Sequence, residues 1–423
     1  MRDCRPIARP LLLWFAVLLL LVAGCSGAER HSGPEAPPGR QAAGDDRRPS
    51  PDPGVTGRGG TEGMPSGSTG PPEPPQPPPV VQEPPVTTKV TLAAIGDVLI
   101  HSSIYKDAKK QEGYDFVPMF ERVRTYIEEA DIAIANQESM IGGEALGLSD
   151  YPRFNSPYEI GDALKTIGFD VVSLANNHSM DGGERAIANA LAHWRKLGMT
   201  TVGVYGSEED RDTIRVVDVK GIKIAFLSYT YGTNGIPVPA GKPYLVNLID
   251  TNRAAADIEA ARRVADVVVV SAHFGQEYKD LPNDSQKKFA REAAEAGADI
   301  VIGHHPHVLQ PAEWIETGTG RKTFVVYSLG NFIAAQEGEN KRTGGILRLE
   351  IEKTATGGTS RIEVKHPSFI PTWISMTNWR KYKVVPVWEA GADQIPDTAA
   401  HEEMIRRHMS RWMPELNFPA KPE

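Results

Sequence analysis

From Thr88 onward the chain repeats one pattern: a short apolar run, a cluster of Asp, Asn, Glu or His, then a segment of helical period. The runs at Val90–Ile95, Ile132–Ala135, Val171–Leu174, Ile224–Ser228, Val267–Ser271, Ile300–Ile302 and Phe324–Tyr327 are predicted strands. Pro118–Glu129, Tyr158–Ile167, Glu184–Leu197, Asn252–Val264 and Asp284–Ala296 are predicted helices. Such alternation predicts one large α/β domain, here over 89–390. Beyond Gly358 the signals thin to strands near Ile362–Val364 and Lys383–Val387. A polar helix from Thr398 to Trp412 follows, in a C-terminal helical tail over 391–423.

The N-terminal segment has a different character. Arg2, Arg5 and Arg9 precede an unbroken apolar run, Leu11–Val22, which falls short of the roughly 20 residues of a spanning helix. Residues 1–24 therefore read as a secretory signal peptide. Leu21-Val22-Ala23-Gly24-Cys25 resembles the bacterial lipobox, which implies export and lipid attachment at Cys25. Cys4 and Cys25 are the only cysteines, and Cys4 lies in the segment to be removed, so no internal disulfide is expected. Residues 25–88 form a linker. Glu29–Lys89 holds 16 of the 34 prolines and no aromatic residue, leucine or isoleucine. That stretch cannot bury enough apolar surface to offset the entropy of ordering, and it reads as a disordered spacer.

Net charge is −8 with no basic cluster in the folded part, which argues against nucleic acid as a partner. Any anionic ligand must then be held by a local site.

The polar clusters carry the chemistry. Ile95 leads to Asp97 and His101, and Ala135 to Asn136 and Glu138. Leu174 leads to Asn176, Asn177, His178 and Asp181. Ser271 leads to His273, Glu277 and Tyr278, Ile302 to His304, His305 and His307, and Tyr327 to Asn331. Ligands of open α/β folds bind at the carboxyl ends of strands, where loops converge. Taken singly, each cluster could be a turn or a helix cap. Six at equivalent ends point to one site, whose imidazoles and carboxylates suit Zn, Mn or Fe.

The order Gly-Asp, Asn-x-Glu, Asn-Asn-His-x-x-Asp, His-x-Gly-x-Glu-Tyr, Gly-His-His-Pro-His and Ser-Leu-Gly-Asn-Phe resembles the poly-γ-glutamate capsule synthesis proteins, CapA and PgsA, over Val90–Phe332. The resemblance implies a calcineurin-like metallophosphatase sandwich of two mixed β-sheets flanked by helices. It also implies one or two divalent ions, membrane capsule-synthesis partners, and an anionic poly-γ-glutamate or phosphoester substrate. Carried over, Asp97, Glu138, Asn177, His273, His305 and His307 would hold metal. His178 would serve as general acid, with Asp97 also in the catalytic set. Asn136, Asp181, Glu277, Tyr278, His304 and Asn331 would line the pocket. Three departures from the metallophosphoesterase pattern stand out: Leu99 where a ligand histidine is usual, Glu138 for a bridging aspartate, and Asn176 for glycine. Three functions fit these residues: a capsule-type protein, a general surface phosphoesterase on nucleotides or sugar phosphates, and a non-catalytic polymer-binding scaffold.

Overall fold

The computed structural model describes Gly60 and residues 84–421; the signal segment, Cys25 and most of the Pro-rich spacer lie outside those residues. In chain order its strands are β1 Val86–Val98, β2 Ile132–Gln137, β3 Val171–Ser173, β4 Thr200–Val202, β5 Arg215–Val219, β6 Ile222–Thr230 and β7 Val267–His273. There follow β8 Ile300–His304, β9 Leu309–Glu316, β10 Lys322–Leu329, β11 Asn331–Ile333, β12 Thr343–Thr356, β13 Thr359–Thr377 and β14 Arg380–Pro386. One sheet runs β14-β13-β12-β1-β2-β3-β4 with β11 beside β1, and the other runs β5-β6-β7-β8-β10-β9. Both are mixed. The strands β1 to β4 and β6-β7-β8-β10 are parallel, whereas β12, β13, β14, β5 and β9 join antiparallel.

The apolar runs explain the layering, because alternate side chains serve opposite faces. Val90, Leu92 and Ala94 enter the core between the sheets with Ile224, Phe226, Val267 and Val269. Ala93 and Ile95 point the other way, onto the helices Glu159–Thr166 and Gly183–Lys196, where Leu164 and Trp194 are buried. On the outer face of the second sheet, Ala225, Val268 and Val270 pack against Thr251–Arg262 and Asp284–Ala296. The second of these helices starts at a capping box, Asn283 with Gln286, and stops at Gly297 with φ 115°. Ser173 of the first sheet bonds to both Ser228 and Ser271 of the second at 2.8 Å, a polar tie through an otherwise apolar interior.

Several sequence expectations need correction. Pro118–Glu129 is not one helix: a 3-10 turn at Val117–Met119 and a short helix at Arg124–Glu128 are separated by Phe120 and Val123, with φ near −114° and −113°. The strands β4, β5, β9, β11 and β12 were not expected. Pro311 interrupts the strand signal of β9, yet β9 lies at a sheet edge, where a missing donor is tolerated. Strand β12 pairs along its whole length with β13, turning at Gly357 and Gly358, both at positive φ. Residues 391–421 are packed rather than trailing. Ile405, Met409, Met413 and Leu416 are at most 5% exposed and belong to the inter-sheet core. No helix among the described residues is long and apolar enough to cross a membrane.

Candidate metal centre

The parallel strands of both sheets release their chains at one end of the sandwich. Asp97 comes from the end of β1, Asn136 and Glu138 from the end of β2, and Asn177 from the loop after β3. His273 comes from β7, His304 from β8, His305 and His307 from the loop beyond, and Asn331 from β11. Close backbone approach makes this convergence feasible. A side chain at Gly96 would collide with the Gly330 carbonyl, and one at Gly303 with that of Tyr327. His305 and His307 occupy positive φ, 96° and 58°, a conformation that costs non-glycine residues energy and clusters at functional sites.

Asp97 is fully buried and gathers its neighbours. Asn136 Nδ2 donates to Oδ1 at 2.8 Å and the His305 backbone N–H to Oδ2 at 3.3 Å. His304 Nδ1 lies 3.4 Å from Oδ1, and His307 Nδ1 3.2 Å from Oδ2. His307 Nδ1 also faces Asn331 Oδ1 at 2.9 Å. Both neighbours accept, so Nδ1 carries a hydrogen, and Nε2 faces Glu138 Oε1, 3.7 Å away. His273 Nε2 sits 2.8 Å from Asn177 Oδ1 and 3.5 Å from Glu138 Oε1.

Glu138, His305 and His307 each offer a donor atom within 4.8 Å of the others, all buried. Both Glu138 oxygens, and the Nδ1 atoms of His273 and His305, have no hydrogen-bond partner. Unpartnered buried carboxylates are costly and rare, and a cation is the partner this donor set suits. The residues therefore fit a divalent metal.

The electrostatics agree. Burial, with Asp97 adding repulsion against the opposing pull of His307, pushes Glu138 well above the usual carboxylate range. Burial also opposes ionisation of Asp97, but the hydrogen bonds to His304 and His307 outweigh it and hold Asp97 well below that range. His307 is disfavoured as a cation by burial, yet Glu138 and Asp97 raise it to about 9. Burial, reinforced by His307, lowers His305 to about 3, and burial with His305 lowers His273 well below the ordinary value. Neutral imidazole is the form that binds metal, so His305 and His273 are ready to bind, whereas His307 must first lose a proton.

His178 lies beside this centre, 6% exposed, with Nδ1 2.6 Å from Asp181 Oδ2 and its ring edge-on to Phe154 at 4.7 Å. Nε2 is thereby left for a substrate atom. Glu277 and Tyr278 are exposed at the mouth, where the Tyr278 ring tilts over His307 at 6.0 Å. Leu99 is 2% exposed in the helix-side core, so the ligand histidine usual there has no counterpart in the site. Asp97 instead meets the imidazoles of His304 and His307. His101 does not join the cluster, because its Nδ1 accepts from the Ala335 N–H at 3.2 Å. Two neighbours escaped sequence reasoning. Tyr231 covers His305 at 4.7 Å between ring centres, and Asn234 Oδ1 accepts from Asn177 at 3.3 Å. Both sit on the irregular segment after β6, where the hint was a Tyr and an Asn among turn residues.

Fold and site together define a two-sheet α/β sandwich bearing a buried carboxylate–imidazole centre at its strand ends. The profile of the family described as bacterial capsule synthesis protein PGA_cap matches residues 91–336, more than half of the chain, and the chain belongs to that family. It is 31% identical over 271 residues to the PGA biosynthesis protein CapA of Bacillus subtilis, covering 62% of this chain and 68% of the relative. It is 24% identical over 342 residues to the capsule biosynthesis protein CapA of Bacillus anthracis, covering 76% and 81%. Similar solved structures include the NAD nucleotidase of Haemophilus influenzae, with TM-score 0.42 and 10% identity over 80% of this chain and 65% of that one. Another is a 5'-nucleotidase precursor from Thermus thermophilus, with TM-score 0.38 and 15% identity over 66% and 54%. The chain thus spans less than two thirds of either structure's length.

Proposed function

We propose that this chain is a cell-surface lipoprotein of poly-γ-glutamate capsule synthesis or export. In this reading it faces outward, is held to the membrane through Cys25, and works with membrane capsule-synthesis proteins. The observation that carries a chemical role is the set of buried, unpartnered donors on Glu138, His273 and His305, beside His307 and Asp97. Asp97, Glu138, Asn177, His273, His305 and His307 would hold Mn, Zn or Fe, which when bound supplies Lewis acidity and a more acidic water. His178, oriented by Asp181, holds a proton at Nε2 for a leaving oxygen. The reading supports hydrolysis of a phosphoester or of the polymer's own precursor at this centre.

The test is made in a cell that produces the polymer. Replacing the gene with one encoding His305→Ala and His307→Ala should abolish surface poly-γ-glutamate while the protein is still exported. Normal polymer from that variant, together with no phosphoester hydrolysis by the wild-type chain, overturns the catalytic reading.

A further inference from the structure

The β13–β14 hairpin closes with a two-residue turn, Asn378-Trp379, between the paired Thr377 and Arg380. Both turn residues have positive φ, 49° and 58°. Such turns ask for Asn-Gly, and a tryptophan at the glycine position is a local choice against the fold's own preference. Trp379 is 40% exposed and separates two clefts, which share it and Asn378 as walls.

The first cleft, about 420 Å³, contains Lys106 and Arg380. Neither cation forms an ion pair among the described residues. Its one acid, Asp107, already accepts from the Tyr382 backbone N–H at 2.9 Å. The second cleft, about 460 Å³, is bordered by Glu337 and Gly338. Those residues directly follow Gln336, whose side chain contacts Asn331 at 3.0 Å and the Tyr278 hydroxyl at 3.5 Å, at the wall of the metal centre. Lys341 lies over the Tyr278 ring at 4.9 Å in the same segment. Residues 336–338 therefore run from the wall of the metal centre, at Asn331 and Tyr278, to the cleft they share with Trp379, on whose other side lie Arg380 and Lys106.

A larger cleft, about 650 Å³, opens at the opposite ends of the strands, beside Asp299. Three of its cations are committed, Arg321 to Asp299 at 2.7 Å, Arg361 to Glu363 at 2.6 Å and Lys365 to Glu352 at 2.7 Å, whereas Lys322 has no ion pair among the described residues. The Trp379 cleft differs in that neither of its two cations has an ion pair among the described residues.

We propose that Trp379 and its two clefts form a docking track for an extended anionic polyamide, which in the reading above is poly-γ-glutamate passing to or from the metal centre. The inference rests on that reading for the identity of the chain. The indole face packs on the methylenes and amide planes of the polymer, while Lys106 and Arg380 pair with its carboxylates. A lipid surface fits less well, because the cleft beside Trp379 is lined by Ser102, Ser103, Lys106, Asp107 and Arg380 rather than by an apolar patch.

The experiment is equilibrium binding of a defined-length poly-γ-glutamate chain to the purified, metal-loaded full chain. Trp379→Gly removes the ring while supplying the residue the turn prefers, so folding is retained. It should weaken binding about tenfold, with metal content unchanged. Trp379→Phe should recover most of the affinity, and Lys106→Glu with Arg380→Glu should weaken binding and flatten its salt dependence. If wild type binds and Trp379→Gly binds equally, the track is wrong and the capsule reading stands. If wild type does not bind the polymer at all, that reading and the track fall together. If Trp379→Gly loses binding only to vesicles of anionic phospholipid, the surface is a membrane contact and the proposal is overturned.

Discussion

His178 Nδ1 lies 2.6 Å from Asp181 Oδ2, with the two side chains 7% and 1% exposed. That contact fixes the imidazole and directs Nε2 outward, while neither residue belongs to the buried donor cluster of Glu138, His305 and His307. His178→Ala should therefore keep its metal and lose about 10²–10⁴-fold in turnover on a phosphoester panel. Asp181→Asn should lose less, since the ring remains. Metal loss in His178→Ala would move this histidine into the ligand set, and unchanged turnover would remove it from the chemistry.

Metal affinity should rise with pH. In the metal-free protein His307 is raised to about 9 by Glu138 and Asp97 against the cost of burial, and burial pushes Glu138 upward too. While either group is protonated a proton must leave before the metal binds, so affinity climbs by up to tenfold per pH unit for each proton displaced. His307 keeps this slope up to about pH 9. Titrations with a metal-indicator dye from acid to pH 9 should show that climb with proton release, and a flat profile would contradict the assigned ligands.

Much of this site was legible in the chain because each donor follows an apolar run, and a parallel strand buried on both faces leaves its last residues at the sheet end. Asp97, Glu138, His273 and His305 stand out as candidates by that rule, and their reading as metal ligands rests on the family resemblance. Tyr231 and Asn234 do not stand out, since they lie on a segment without periodicity and reach the centre only through tertiary folding. His304 was expected merely to line the pocket, yet its ring lies 3.4 Å from Asp97. Strand β12 was missed although Leu347, Leu349 and Ile351 alternate with Arg348 and Glu350. Its partner β13 carries Pro367 and Pro371, which break the hairpin signal that would have revealed both.

The C-terminal helix should prove integral to stability. Met409 is fully buried in the inter-sheet core, whereas Met404 on the same helix is 48% exposed. Met409→Ala should cost about 2–5 kcal/mol, and Met404→Ala within about 0.5 kcal/mol, in denaturant unfolding of otherwise identical chains. Equal costs would mean that this helix does not pack as described.

Attachment at Cys25 is tested by Cys25→Ser. The variant should accumulate as unprocessed precursor or be shed into the medium, and limited protease should cut within Glu29–Pro85 to release a stable fragment beginning near Val86, where β1 starts. A processed, membrane-bound variant would contradict the anchor, and cuts concentrated beyond residue 100 would contradict the boundary.

The most direct measurement is elemental analysis of the purified chain beside Glu138→Gln and the double variant His305→Ala, His307→Ala. Wild type should carry Mn, Zn or Fe, Glu138→Gln should carry less, and the double variant should carry none while retaining its folded circular-dichroism spectrum. Metal content unchanged in the double variant would contradict a metal centre at these strand ends.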